Sequence, residues 1–184
     1  MTRNEILKII YEEIINKDEN IDADKLEEYL QLFESTVNIL KILKREDEFN
    51  FIKNVYNEIS KINSSFICPE KRDIINTMIE QNWCHSIYKH YETVKLWNIL
   101  EISLEKEKSK LLFGIYTGDL DTIVLDKLRN NETKIKKLFN DIKLENTESY
   151  LYCWYIDAER CNDNDYVKEI ADNMLKLDDI LSNL

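Results

Sequence analysis

NWCHSIYKHYETVKLWNIL, residues 82–100, gathers both histidines, one of the four cysteines and two of the three tryptophans. Histidine and cysteine bind metals and form nucleophile–base pairs, so this stretch is tested first. Two zinc-binding histidines on one helix want a spacing of three or four, so that both rings point at one ion. His85 and His90 are five apart, and on a helix they face away from each other. Cys84 is no better placed to join His90. A cysteine nucleophile needs a base within hydrogen-bond reach. Cys84 and His85 are neighbours, and adjacent residues of a helix diverge. No glycine-rich phosphate loop, nucleophile elbow or HExxH motif occurs. Helical spacing instead places Trp83, Ile87, His90, Val94 and Trp97 on one apolar face. The expectation is a core helix with no cofactor and no metal, His90 buried and His85 exposed.

Two acidic patterns carry other chemistry. DENIDADKLEEY, residues 18–29, sets Asp18, Asn20, Asp22 and Asp24 at the alternating oxygen positions of a calcium loop. The sixth position of that loop needs Gly for its turn and holds Ala23. The twelfth needs a bidentate Glu and holds Tyr29. A capped helix entrance accounts for the segment better. Further on, Glu145-x-x-Glu148 is followed by Glu169-x-x-Asp172. This spacing resembles the ExxE…ExxD pattern of the all-α nucleotide pyrophosphohydrolases. The resemblance implies four carboxylates on two facing helices that hold Mg²⁺ against a triphosphate. It covers those four residues and no more of the chain.

YLYCWYI, residues 150–156, points to a surface. At helical spacing its apolar residues surround the axis, so one side is deeply buried or exposed; a buried strand is the other reading. Tyr and Trp dominate interface hot spots. Acids follow at once, and from Glu145 onward there are ten acids against three bases. Tyr150, Tyr152, Trp154 and Tyr155, with Asp157, Glu159, Asp163 and Asp165, therefore form the candidate partner-binding set. An aromatic patch with an acidic rim suits a basic protein. The competing reading of the same residues is a core element and a solubilising charge.

The elements that would position these residues follow from composition. The chain has 184 residues, 43% hydrophobic and 33% charged, which suits one globular domain. Its net charge of −11 disfavours direct nucleic-acid binding. No apolar run reaches the ~18–20 residues that span a bilayer, and MTRNEILKII has no signal-peptide core. The four cysteines form no CxxC pair, so free thiols and a cytoplasmic location are expected. Only Gly114, Gly118 and Pro69 supply the usual turn chemistry. That shortage predicts long helices. Phe49, Ile52, Tyr56 and Ile59 mark one stripe, and Ile74, Ile75, Met78 and Ile79 another after Pro69. Later stripes are Val124 with Leu128, Ile135 with Leu138 and Ile142, and Val167, Ile170, Met174, Leu177 and Leu181 behind Asp163 or Asp165.

The expected fold is all-α: residues 1–184 as a single compact bundle of about seven to nine helices. The expected function is non-enzymatic binding of a basic protein partner, without membrane or nucleic acid. Scarce Ala and abundant Ile, Asn and Lys resemble translation of an AT-rich genome. By analogy the chain would be an inhibitor, an immunity or antitoxin-type protein, or a phage or viral antagonist. The alternatives are the Mg²⁺-dependent pyrophosphohydrolase and a scaffold or homo-oligomer.

Overall fold

The computed structural model describes residues 8, 23–104, 109–117, 122–138 and 150–184. The chain divides into two compact units, Met1–Lys44 and Arg45–Leu184. In the first unit, α1 spans Ala23–Leu43. The second unit holds the other elements. Among the described residues these are α2 (Glu46–Ser60), α3 (Lys71–Gln81), β1 (Trp83–Tyr91), β2 (Leu96–Leu104), β3 (Ser109–Thr117), α4 (Thr122–Asn130), α5 (Glu132–Leu138), β4 (Tyr150–Ile156) and α6 (Asn164–Leu181). A 3₁₀ turn, Ala158–Arg160, links β4 to α6. No helix of the described residues is long and apolar enough to cross a membrane.

The all-α expectation is therefore corrected. The described residues form a four-stranded antiparallel sheet in the order β1-β2-β3-β4 and six helices. Residues 82–100 are not a core helix. They are the β1–β2 hairpin, with His90 opposite Trp97 and His85 opposite Glu101. YLYCWYI is the strand β4. The shortage of glycine does not exclude a sheet, because the described turns into and within the β1–β2 hairpin are made without it. Residues 92–95 close the hairpin, with Lys95 in the left-handed region at φ 51°. Asn82, at φ 64°, ends α3 and turns the chain into β1. Gly114 serves a different need. A Cβ there would meet the Tyr152 carbonyl oxygen of β4 at 2.4 Å, so the β3–β4 pair requires a residue without one.

Two helices follow their stripes closely, while in α3 Ile74 and Met78 are buried and Ile79 is exposed. In α2, Phe49, Ile52 and Ile59 are buried, and three acids of its first turn meet the positive end of the helix dipole. In α6 the predicted seam of Val167, Ile170, Met174, Leu177 and Leu181 is buried throughout. Burial of each such side chain contributes roughly 1.5–3 kcal/mol before entropy. Asp163 caps α6 by accepting from the backbone N–H groups of Asp165 and Tyr166. This helix packs on β2 and against α2. Asn98 of β2 donates to the Met174 carbonyl at 2.8 Å, which fixes the face of the sheet that α6 covers. Asn173 donates to the Leu138 carbonyl at 3.0 Å and ties α5 to the same helix.

Candidate functional site

Strand periodicity decides what lies where. Side chains alternate between faces, and directly paired residues of antiparallel strands share one. Asn98 faces α6, so Leu96, Leu100 and Ile102 of β2 do too. Trp97, Ile99 and Glu101 occupy the opposite face. Their partners on β1 are His90, Tyr88 and His85, and Trp83 lies beyond them opposite Ser103. Their partners on β3 are Tyr116, Gly114 and Leu112. From β4, Tyr150, Cys153 and Tyr155 pair with those and complete the surface.

This face has an apolar floor and an aromatic top. Ile99, Leu112 and Cys153 are buried, and Tyr88, Trp97, Tyr116 and Tyr150 pack against them while remaining partly accessible. Trp83 is 39% exposed at one edge and Tyr155 38% at the other. The His85 ring is the hub. Its centroid lies 5.0 Å from Trp83, 5.0 Å edge-on from Tyr116 and 6.2 Å from Trp97. His90 stacks on Trp97 at 4.2 Å and is exposed. The helical reading of the two histidines is thus reversed: His85 is the sheltered ring and His90 the solvent-facing one.

Glu101 sits beneath these rings, only 8% exposed. Its Oε2 accepts a hydrogen bond from the Tyr150 hydroxyl. His85 Nε2 lies 3.4 Å from the same oxygen, near enough for an ion pair when the ring is protonated but out of line for a hydrogen bond. That nitrogen is buried and makes no hydrogen bond. Burial, then the Glu101 carboxylate, hold the Tyr150 phenol well above its usual titration range. Tyr150 therefore stays a donor to Glu101 at neutral pH. Chemically, a carboxylate at the base of an aromatic patch can recognise a cation, by ion pairing below and cation–π contact from the sides.

The predicted partner-binding residues divide. Tyr150 and Tyr155 lie on the aromatic face. Tyr152 and Trp154 point to the α6 side, where Tyr152 is buried and the Trp154 ring meets Tyr166 edge-on at 6.2 Å. Asp157 accepts from the Glu159 backbone N–H and opens the 3₁₀ turn. Asp163 pairs with Arg160 at 3.0 Å besides capping α6. Glu159 and Asp165 are exposed. Of the pyrophosphohydrolase set, Glu169 and Asp172 lie on α6, and Glu145 and Glu148 lie outside the described residues. The all-α architecture that this resemblance implies is not the architecture observed. Of the calcium-like segment, residues 18–22 also lie outside the described residues, and Ala23 onward is α1. Among the described residues no three His, Cys, Asp or Glu side chains gather as a metal site.

Cys84 does not face His85. On a strand, neighbours point to opposite faces, so the pair diverges as it would on a helix, for a different reason. Burial pushes the Cys84 thiol up to about 11, which keeps it protonated and poorly nucleophilic. Sequence reasoning missed Glu101, Tyr88, Tyr116 and Trp97 as one surface. The available signal was the alternation in WCHSIYKHY and in LWNILEISL. No family model, curated protein or solved structure matches this chain.

Proposed function

We propose that this chain is a non-enzymatic module that binds a basic protein partner on the aromatic face of its sheet and acts in the cytosol. An inhibitor, immunity or antitoxin-type protein, or a phage or viral antagonist, would work in this way. The carrying observation is a part-exposed aromatic face built on the buried carboxylate of Glu101. Aromatic side chains bring large contact area at low entropic cost, and they are the commonest interface anchors. The net charge of −11 favours a basic partner and its electrostatic steering. The acids at 157–165 are partly engaged in capping, so the aromatic residues carry more of this reading than the acidic rim does.

The test is affinity capture from the native host with the wild-type chain and a Trp83→Ala/Tyr155→Ala variant. Both side chains lie at the edges of the sheet and are over a third exposed, and an unchanged thermal midpoint checks that the variant keeps the fold. A basic protein retained by the wild type and lost by the variant supports the reading. Recovery of the chain itself alone would replace it with self-association. Mg²⁺-dependent hydrolysis of nucleoside triphosphates that disappears in Glu169→Gln would replace it with the enzyme.

A further inference from the structure

We propose that Glu101 is the specificity position of the aromatic face, where its carboxylate takes the guanidinium of an arginine from the basic partner. This rests on the binding reading above and adds the chemistry of its central contact. The chain itself supplies the comparison. Asp178 is a second buried carboxylate, 6% exposed, and it is fully engaged. Its oxygens accept from Lys89 Nζ at 2.5 Å, the Tyr91 hydroxyl at 2.6 Å and Asn63 Nδ2 at 2.6 Å. A carboxylate held for structure in this fold has a cation and several donors. Glu101 is nearly as buried, yet among the described residues its side-chain partners are Tyr150 and His85, both at Oε2. Among the described residues no lysine or arginine pairs with Glu101, whereas Lys89 pairs with Asp178. A carboxylate that has no cation of its own within the fold keeps the capacity to pair with one from a ligand.

The surroundings select the kind of cation. Trp83, Tyr88, Trp97 and Tyr116 present rings around His85, whose Nε2 lies 3.4 Å from the carboxylate, and each remains partly accessible. A guanidinium is planar, stacks on aromatic faces and is weakly hydrated, so entering such a surface costs it less than it costs an ammonium. The overall charge of −11 favours the same sign of ligand. A metal would want several carboxylate, imidazole or thiolate ligands together, and the described residues bring no such group together here.

The experiment titrates the whole chain with acetyl-Gly-Arg-Gly-amide and with its citrulline and lysine counterparts. The Trp83 and Trp97 indole N–H signals are followed by NMR. The expected result is saturable shifts with the arginine peptide and binding weaker by about tenfold with citrulline, which keeps the shape and loses the charge. Glu101→Gln retains an acceptor for Tyr150 and should weaken the arginine peptide by a similar factor. Equal binding of citrulline, or unchanged binding by Glu101→Gln, would overturn the assignment, and a preference for lysine would overturn the choice of guanidinium. The citrulline contrast needs only the wild type, so it stands even if the variant folds poorly. Repeating the capture with Glu101→Gln separates the two claims. A partner kept by Glu101→Gln and lost by Trp83→Ala/Tyr155→Ala sinks the Glu101 assignment and leaves the binding reading standing. A partner kept by both variants sinks both.

Discussion

Asp178 is a buried carboxylate on which side chains from several elements of the second unit converge. It reaches Lys89 and Tyr91 of β1 and Asn63 after α2, and so ties the end of α6 to the sheet and to the α2–α3 connection. Lys89 is itself mostly covered, with side-chain exposure of 20%. Removing the carboxylate would leave that ammonium short of a partner in a poorly hydrated place. Asp178→Ala should therefore cost about 3–5 kcal/mol, at the scale of a broken buried ion pair. Urea unfolding measures it, and a loss below about 1 kcal/mol would show the pair to be solvent-screened. No sequence pattern announces this hub. Apart from Ser182, one turn on, its partners stand 87, 89 and 115 residues away, and nothing local distinguishes Asp178 from the other acids of a strongly acidic chain.

At the scale of elements, α2 and α6 were legible and the sheet was not, and the reason is physical. Each of those helices buries one stripe and exposes the rest, which writes a period near 3.6 into the sequence. The sheet is covered by α6 on one face and by its own aromatic layer on the other. Apolar residues then fill both phases of a strand, as Ile99 and Leu100 do side by side, and the alternation is blurred. Trp83, Ile87, His90, Val94 and Trp97 fall at helical spacing all the same. In the hairpin Ile87 faces α6, whereas Trp83, His90 and Trp97 line the aromatic face. The site was legible in its residue types, since both histidines and two tryptophans were singled out. It was not legible in its arrangement, which placed His90 inside and left Glu101 unnoticed. The scarcity of glycine misled because Lys95 accepts a left-handed backbone that glycine would adopt without strain. Lys95→Gly should thus raise stability by about 1 kcal/mol, with a higher thermal midpoint. A lower midpoint would mean that the lysine side chain holds the turn.

The whole molecule carries a pH dependence that its buried thiols and phenols set. Burial pushes Cys68 and Cys84 up to about 11 and Cys161 up to about 12. Burial also raises the Tyr91 and Tyr150 phenols, with Asp178 and Glu101 adding to the effect. In the unfolded chain a thiol ionises near about 8.5 and a phenol near about 10. Below those values both states keep their protons, and the full stability is present. Above them the unfolded chain releases protons that the folded chain retains, so stability falls as pH rises. The loss runs through the interval up to the folded values. The excess of acids adds to it, because each new thiolate or phenolate increases the repulsion in a chain already at −11. The urea midpoint should accordingly be lower at about pH 10.5 than at about pH 8. At the lower pH a thiol reagent should label Cys84 and Cys161 only as fast as the fold opens, since both are buried. Labelling of all four cysteines at the rate of a free thiol, or a midpoint unchanged across that interval, would mean that these groups do not hold their protons in the folded chain.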